Sequence, residues 1–438
     1  MKTLMQSQKT VYVLGGYGLI GSACIRALVR DGFSVVGIGR SIDKGKQSNP
    51  AIEWREINIS TASTQDWREL LSNADIIVNA AGALQNGARD NLIAIHETSI
   101  ARITEAIGDS GKKFIQISAV GADIQASTDF MRTKARGDQI IMQSKLEWYV
   151  LRPSLVIARD AYGGTALLRA ASAFPIVNMR IFPEVPVQIV SVDDVADAVV
   201  QAASGSIRPK LLTDITADEC YAFDQLKTRI RKWLGFPDWR YRFDFPPFLL
   251  KAIGAFADIL GWFGWRSPLR SNALAVLDTG ITGNSSSWIS NGGRPCQPLE
   301  QVLDTMPATI QERWFSRIYL LVPFSIAILS LFWISSGLIG FYAQQNAQNL
   351  LISRGVEPSL AHLFVFGGSV ADLLLGLCAL AKRTCKSACL AMIGLSLCYV
   401  FGSIVIAPDL WLDPMGPMIK VFPGIALSMI TLAVLNER

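Results

Sequence analysis

The stretch VYVLGGYGLIG, residues 11–21, places glycines at Gly15, Gly18 and Gly21 directly after a short apolar run. The run 11–14 is typical of a buried strand, and the residues from Gly18 to about Arg30 are typical of a helix. Glycine suits a sharp strand–helix turn that lets the backbone approach a diphosphate, whose oxygens then meet the free N–H groups of the helix. The stretch therefore predicts a dinucleotide-binding turn, and the alternative is a tight turn without a ligand.

Apolar runs and helical segments alternate along the first 210 residues. After the first strand and helix, strands are predicted at 34–38, 76–79, 114–117, 149–151 and 187–190, with a helix near 93–107. Strands separated by helices of this length indicate parallel pairing, with helices on both faces of the sheet. The predicted fold class is an α/β, Rossmann-type, doubly wound parallel sheet, followed by an all-α four-helix transmembrane domain.

The second predicted strand ends in the sequence GIGRS, residues 37–41. An NAD site has an acidic residue near this point to bind the ribose hydroxyls, whereas Arg40, Ser41 and Lys44 suit the 2′-phosphate of NADP(H). The alternative is an ordinary solvated cluster. The sequence therefore favours NADP(H) over NAD(H) as the cofactor.

The second half of the chain is more apolar than the first. Hydrophobic residues make up 50% of the chain and charged residues 18%, and the mean hydropathy of +0.31 indicates a membrane part. Four apolar runs, near 318–342, 361–381, 388–407 and 414–435, predict helices that cross the bilayer. Another run, 248–265, contains Lys251 and Asp258, and predicts an amphipathic helix that either packs on the soluble domain or lies in the membrane interface.

Basic residues flank these runs unequally. Arg313, Arg317, Lys382, Arg383 and Lys386 lie in loops that the positive-inside rule assigns to the cytoplasm. A multi-pass protein of the inner membrane is expected, with the nucleotide-binding domain and both termini cytoplasmic. Since no apolar segment precedes the first strand, no signal peptide is expected. A net charge of +5 without a basic tract gives no support to nucleic-acid binding, and seven scattered cysteines predict reduced thiols and no metal site.

Several motifs taken together resemble the short-chain dehydrogenase/reductase (SDR) superfamily over roughly residues 9–210. They are the glycine spacing, NAAG at 79–82, ISAVGAD at 117–123, FMRTKARGD at 130–138, LRPS at 151–154 and VSVDDV at 190–195. They look like the atypical branch that includes the nucleotide-binding accessory subunit of respiratory complex I. The resemblance implies catalytic roles for Ser118, which orients a substrate carbonyl, and Lys134, which also holds the nicotinamide ribose. The predicted cofactor-binding residues are Gly15, Gly16, Tyr17, Gly18, Leu19, Ile20, Gly21, Arg40, Ser41, Asn79, Ala80, Ala81, Gly82 and Lys134.

The family's general acid, a tyrosine four residues before the lysine, is replaced by Phe130, which has no ionisable group. Two hypotheses follow. In the first, the chain is an NAD(P)-dependent oxidoreductase of atypical SDR type that acts on a lipid-soluble or membrane-associated acceptor, with the proton supplied by water or by another residue such as Tyr162. In the second, it is a non-catalytic nucleotide-binding accessory or regulatory module of a membrane complex.

The segments WLDPMGPMIK at 411–420 and ADLLLGL at 371–377 resemble the DoxX-like four-helix membrane family. The resemblance implies a quinone or another membrane protein as a partner, besides the bilayer. The predicted domains are an NAD(P)-binding SDR-like domain with a substrate lobe (1–235), a connector with the amphipathic helix (236–312) and a DoxX-like four-helix transmembrane domain (313–438). Asp372, inside the second apolar run, is either a functional carboxyl or a hydrogen-bonded helix staple.

Overall fold

The computed structural model describes residues 9–87, 90–265, 267 and 269–435. The chain divides into two units, Met1–Asp258 with Ser267–Ser316, and Ile259–Arg266 with Arg317–Arg438. The first unit carries the strands, and the second carries the long apolar helices.

The strands, in chain order, are β1 (Thr10–Leu14), β2 (Ser34–Gly39), β3 (Glu53–Glu56), β4 (Ile76–Asn79), β5 (Lys113–Ile117), β6 (Glu147–Pro153), β7 (Leu155–Ile157), β8 (Val177–Arg180), β9 (Pro186–Ser191), β10 (Leu211–Ile215), β11 (Cys220–Ala222) and β12 (Tyr241–Asp244). The α-helices up to the second unit are α1 (Leu19–Arg30), α2 (Ile42–Ser48), α3 (Thr64–Leu70), α4 (Ser99–Ile107), α5 (Asp129–Gln143), α6 (Gly163–Ala173), α7 (Val192–Ser204), α8 (Phe223–Trp233), α9 (Pro247–Trp262), α10 (Ser271–Asp278), α11 (Ser286–Ser290), α12 (Leu299–Asp304) and α13 (Ile310–Ile318). A π-helical turn, Ala94–Thr98, leads into α4.

The main sheet has seven strands in the order β10-β6-β5-β4-β1-β2-β3, and every pairing in it is parallel. The run β3-β2-β1-β4-β5-β6 is the Rossmann order, which places a ligand crevice outside the carboxyl ends of β1 and β4, where the strand order reverses. The register pairs Leu14 with Asn79, so the loops after β1 and β4 begin side by side. The predicted α/β doubly wound parallel sheet is confirmed.

Helices cover both faces of this sheet, as a parallel sheet with apolar central strands requires. Successive residues of β1 point to opposite faces: Val11 and Val13 pack with α1 and α7, and Tyr12 and Leu14 pack with α3 and α4. The strand is buried along its central residues, which explains why its sequence is a continuous apolar run.

Smaller sheets form the lobe that follows β6. One has the order β11-β9-β7, and the other pairs β12 with β8. The run predicted as a strand at 187–190 therefore lies in β9, outside the main sheet. Helix α7 begins after it with Ser191 as N-cap, whose hydroxyl accepts the Asp193 N–H at 3.2 Å.

The second unit contains α14 (Leu321–Tyr342), α15 (Gln344–Ile352), α16 (Pro358–Ala379), α17 (Lys382–Ile406) and α18 (Val421–Leu435). Within the described residues, three helical stretches are long and apolar enough to cross a membrane: Ile310–Tyr342, Pro358–Ala379 and Lys382–Ile406. They correspond to three of the four predicted runs. The fourth run contains α18, an apolar helix of 15 residues, so a fourth span stays a prediction.

Candidate functional site

The turn after β1 can be built only with glycine at its first position. Gly15 has φ +71°, and a Cβ at this residue would lie 2.8 Å from the Cα of Ala81 in the loop after β4. A Cβ at Gly21 would lie 2.3 Å from the Gly15 carbonyl oxygen, so the first turn of α1 packs directly on the strand–helix turn. At Gly15 and Gly21, contacts within the protein itself thus require glycine.

Helix α1 begins at Leu19, with Gly18 as N-cap and the Gly18 N–H bonded to the Gly15 carbonyl at 2.9 Å. Because a glycine cap brings no side-chain acceptor, the N–H groups of Leu19, Ile20 and Gly21 depend on an external one. The oxygens of a diphosphate are suitable acceptors, and the positive end of the helix dipole adds attraction. The residues present therefore fit a dinucleotide at this turn.

Tyr17 and Trp54 support the turn from the side of β2. A Cβ at Gly39 would lie 2.2 Å from the Tyr17 ring, and one at Gly37 would lie 2.5 Å from the Trp54 ring. The indole also fills the space that a Cβ at Gly45 would enter, at 2.3 Å, and reaches within 3.0 Å of the Cβ position of Gly16. The turn is thus held by two aromatic rings that lie against glycine backbone.

Arg40 follows β2 at the position where the sequence places the ribose contact. Its backbone N–H donates to the Tyr17 hydroxyl at 3.2 Å, and its guanidinium pairs with Asp90 at 2.9 Å while remaining 41% exposed. The neighbouring Ser41 is the N-cap of α2 and accepts the Lys44 N–H at 3.4 Å. The Arg40 guanidinium thus lies partly exposed at the end of β2, whereas the Ser41 hydroxyl already has a structural partner.

The loop Asn79–Gly82 is held by the buried Asn79. Its amide nitrogen donates to the Gln116 side-chain oxygen at 2.8 Å, and its own oxygen accepts the Ala81 N–H at 3.1 Å. This fixes Ala80 and Ala81 against the glycine turn, at the switch point of the sheet.

Lys134 reaches the same place from α5. Its ammonium is buried and donates to the Ile117 carbonyl at 2.8 Å, and a Cβ at Gly82 would lie 3.5 Å from its Nζ. Burial lowers the pKa of Lys134 to about 8, partly opposed by the carboxylate of Asp138. Lys134 therefore lies beside the loop predicted to contact the cofactor.

His96, which no sequence motif singled out, packs against the Phe130 ring, and its Nε2 and the Lys134 Nζ each lie 3.5 Å from the Cβ position of Gly82. Its Nε2 accepts the Ala83 N–H at 3.2 Å, so the proton is on Nδ1, which donates to the Thr133 hydroxyl at 2.9 Å. Burial, followed by the positive charge of Lys134, lowers the pKa of His96 to about 2. The imidazole is therefore neutral, with both nitrogens engaged.

Ser118 does not face an open site. Its hydroxyl donates to the buried carboxylate of Asp138 at 2.6 Å, and Arg152 lies 3.5 Å from the same carboxylate oxygen. Burial raises the pKa of Asp138. The Ser118 hydrogen bond and the positive charges of Lys134 and Arg152 oppose that shift. Among the described residues, the other Asp138 oxygen, Arg152 Nε and the Ser154 hydroxyl have no hydrogen-bond partner.

Asp138 was also missed from the sequence. It follows Lys134 by four residues on α5, so the two side chains share a helix face. The Asp138 carboxylate thus accepts the Ser118 hydrogen bond, and its negative charge acts on Lys134.

Tyr162, considered as a distant proton source, is 61% exposed and is the N-cap residue of α6. A cleft in the lobe has a volume of about 690 Å³ and is lined by β8, α8 and α12 residues such as Arg180, Arg229 and Asp304. Its lining includes none of the predicted site residues.

Two families match separate parts of the chain. Residues 15–205 match the NAD(P)H-binding family, and residues 330–429 match the DoxX-like family. Together they cover the glycine turn, the Lys134 region and the apolar helices.

Curated relatives match about a third of the chain. The mitochondrial 40 kDa subunit of NADH-ubiquinone oxidoreductase from Neurospora crassa is 26% identical over 149 residues, which are 33% of this chain and 40% of the relative. Subunit 9 of the NADH dehydrogenase 1 alpha subcomplex from Dictyostelium discoideum, also mitochondrial, is 22% identical over 152 residues, 34% of this chain and 42% of the relative. The chain thus spans about two fifths of the curated relatives it matches.

Solved structures share the fold. UDP-glucose 4-epimerase from Thermotoga maritima, solved with UDP-glucose, has a TM-score of 0.52 at 16% identity, covering 70% of this chain and 99% of the epimerase. WbmH from Bordetella bronchiseptica, solved with NAD+, has a TM-score of 0.51 at 17% identity, covering 70% of this chain and 98% of WbmH. The chain therefore joins an NAD(P)-binding, SDR-like Rossmann domain to a C-terminal DoxX-like domain, and has the character of a membrane-associated protein.

Proposed function

We propose that this chain is a membrane-anchored, NADP(H)-binding oxidoreductase of SDR type that acts on a lipid-soluble or membrane-associated acceptor such as a quinone. The observation that carries the proposal is the convergence of Gly15, Ala81 and Lys134 at the switch point of the sheet. Those three residues come from three separate elements, and a dinucleotide is the ligand that such a crevice is built to hold.

The preference for NADP(H) is supported by Arg40. A guanidinium at the end of β2 offers paired donors to a 2′-phosphate, where an acidic side chain would repel it. Asp90 now neutralises this guanidinium, at 2.9 Å, so a bound 2′-phosphate would compete with one carboxylate for Arg40.

When bound, the nicotinamide supplies a hydride. Lys134 would hold the nicotinamide ribose with its ammonium, and the half-buried ring of Phe130 and the neutral imidazole of His96 would form an apolar wall beside it. With a quinone as acceptor, one hydride and one proton would give the hydroquinone. Neither the Phe130 ring nor the neutral His96 imidazole can donate that proton, so it would come from water or from another residue.

A second function is supported by the same wall. Phe130 has no proton to give, and His96 has a pKa of about 2 and hydrogen bonds at both nitrogens. These features suit a domain that holds the nucleotide without turnover, as an accessory or regulatory module of a membrane complex. The complex I subunits among the relatives are consistent with a membrane protein partner.

The proposed location is the inner membrane, with the nucleotide-binding domain and both termini in the cytoplasm. The support is the concentration of basic residues at Arg313, Arg317 and Lys382–Lys386. Protease accessibility of an N-terminal tag in spheroplasts and in inverted vesicles tests this. Cleavage only in inverted vesicles is expected, and cleavage in intact spheroplasts would reverse the orientation.

The decisive experiment for the proposed function is a titration of the full-length protein in nanodiscs with NADPH. Saturable binding at micromolar nucleotide is expected, and Gly15→Val should abolish it because the added side chain enters the space of Ala81. Gly164→Ala is the matched control, since a Cβ there meets nothing within 4 Å. A wild-type protein that shows no saturable binding of NADPH or NADH would end the proposal.

A further inference from the structure

Helix α9 is apolar on two opposite faces. Leu250, Gly254, Ala257 and Gly261 are buried and recur at helical spacing on one face. Gly254 permits a close approach of α10, since a Cβ there would lie 3.0 Å from the Ser271 hydroxyl. The inner face therefore already has a partner within the protein.

The outer face of α9 is formed by large apolar side chains without such cover. Phe248 is 74% exposed, Phe256 62%, Ile259 57% and Trp262 72%. Contiguous exposed residues of this size mark a surface that meets another molecule or a membrane. We define these four residues as the outer face of α9.

The charges of α9 do not oppose contact with lipid. Asp258 is bound by Arg270 at 2.8 Å, a residue of the first unit, so its carboxylate is neutralised on the protein side. Lys251 is exposed, and its long apolar stem allows the ammonium to reach lipid phosphates while the helix lies at the boundary.

The carboxyl end of α9 is attached to the loop between two membrane-crossing helices. The Trp265 indole donates to the Leu380 carbonyl at 2.6 Å, and the Lys382 N–H donates to the Phe263 carbonyl at 3.1 Å. Leu380 and Lys382 lie between α16 and α17, both of which are long enough to span a bilayer. A loop that joins two spanning helices lies at the bilayer surface, which fixes this end of α9 there.

We propose that α9 is an in-plane interfacial helix whose outer face inserts into the lipid of the same membrane that holds the DoxX-like domain. Amphipathic helices of this kind bury their apolar side chains at the boundary between headgroups and acyl chains. The cations of Lys382, Arg383 and Lys386, next to the attachment point, favour anionic lipids on this side.

The same segment touches the rim of the nucleotide site. Arg270 donates both to Asp258 of α9 and to the Asn86 carbonyl, at 2.9 Å, in the loop that continues from Gly82. An interfacial α9 thus brings that loop close to the lipid headgroups. If the proposed oxidoreductase function holds, an acceptor dissolved in the bilayer reaches the site from this side.

The test is photocrosslinking from α9 in nanodiscs made of phosphatidylcholine and phosphatidylglycerol. Phe256 and Trp262 are each replaced with p-benzoyl-phenylalanine in the full-length protein. Met142, exposed near the carboxyl end of α5, receives the same substitution as a control. Phospholipid adducts are expected from 256 and 262 and not from 142.

Crosslinks from 256 and 262 to peptides of this chain or of a second copy, without lipid adducts, would overturn the proposal. Equal lipid labelling from 142 would overturn it as well, because labelling would then be unspecific. Thermal unfolding of the same preparations reports folding, and titration with NADPH and NADH keeps the two proposals apart. Lipid adducts from folded protein that binds neither nucleotide would retain the interfacial helix and end the proposed function.

Discussion

The imidazole of His96 meets the ring of Phe130 edge to face, with ring centroids 5.7 Å apart and planes at 72°. The two residues come from different helical segments, and Thr133 ties them together by accepting from His96 and donating to the Phe130 carbonyl. The position of the family's tyrosine is therefore part of a packed, neutral cluster.

Restoring the hydroxyl should raise turnover. Phe130→Tyr places a phenol one helical turn from Lys134, whose charge lowers the pKa of a nearby phenol. We expect NADPH oxidation with quinones or aldehydes to increase about 10²-fold, the typical contribution of a general acid. Phe130→Leu is the control and should show no increase. A wild type already as fast as the tyrosine variant would show that the proton comes from elsewhere.

Acid should destabilise the nucleotide-binding domain through His96. Since the pKa of His96 falls from 6.5 to about 2 on folding, the unfolded chain binds the proton first, and the unfolding free energy decreases as the pH falls below 6.5. Thermal unfolding of the wild type and of His96→Gln is followed from pH 6.5 downwards. The unfolding free energy of the variant should depend less steeply on pH. Identical slopes would contradict a buried neutral imidazole.

Removing Arg40 should weaken the binding of NADPH more than the binding of NADH. Arg40→Ala deletes a charge-assisted contact worth about 1.5–3 kcal/mol, so NADPH affinity should fall roughly tenfold or more while NADH affinity changes little. Arg68→Ala, on α3, serves as the control for net charge. An equal loss for both cofactors in the Arg40 variant would remove the assignment of NADP(H).

Lys134 should make nucleotide binding pH-dependent. Its pKa is about 8, so the ammonium predicted to hold the ribose is lost as the pH rises through that value, and NADPH should bind several-fold more weakly. Between about 8 and 10.5 the unfolded chain holds this proton more tightly, so the contribution of Lys134 to the unfolding free energy rises with pH. Lys134→Met should bind weakly at every pH, and a wild-type affinity independent of pH would argue against a contact.

Asp372 should behave as a helix staple. Its two oxygens accept from Ser336 of α14 at 2.6 Å and from Tyr399 of α17 at 2.9 Å, so one side chain joins three helices. Asp372→Leu leaves both hydroxyls unpaired and should lower the unfolding free energy by about 1–3 kcal/mol, whereas Asp372→Asn keeps an acceptor and should cost less. Thermal unfolding in nanodiscs measures both. Full stability in the leucine variant, with activity lost, would favour a functional carboxyl.

Local patterns were sufficient for the central part of the fold. Glycine spacing and apolar runs depend on neighbours in sequence, so β1, α1 and the alternation of strands and helices could be predicted. Sheet membership could not be predicted in the same way. The buried run in β9 is as apolar as β4, and only long-range pairing puts it in a separate sheet.

The candidate site, too, could be predicted only in part from the sequence. The turn and Lys134 carry a recognisable spacing, whereas His96 is a single histidine in a helical segment, and its partner Thr133 is 37 residues away. Asp138 could have been found, because it shares a helix face with Lys134 at a spacing of four residues. The hydrogen bond from Ser118 to Asp138 joins the end of β5 to α5, and sequence spacing does not predict such a contact.

Trp54 has a consequence for how variants of this protein are interpreted. Gly16, Gly37 and Gly45 all border its indole, so enlarging any of them pushes the same ring. Gly45 lies on α2, yet an alanine there would shift the Trp54 ring, which supports the turn after β1. A loss of cofactor binding in that variant would not show that Gly45 itself contacts the cofactor. In a mutational scan, a glycine that contacts the cofactor and a glycine that only borders the Trp54 ring would both appear intolerant of substitution. A smaller residue at position 54 would restore binding only in the second case.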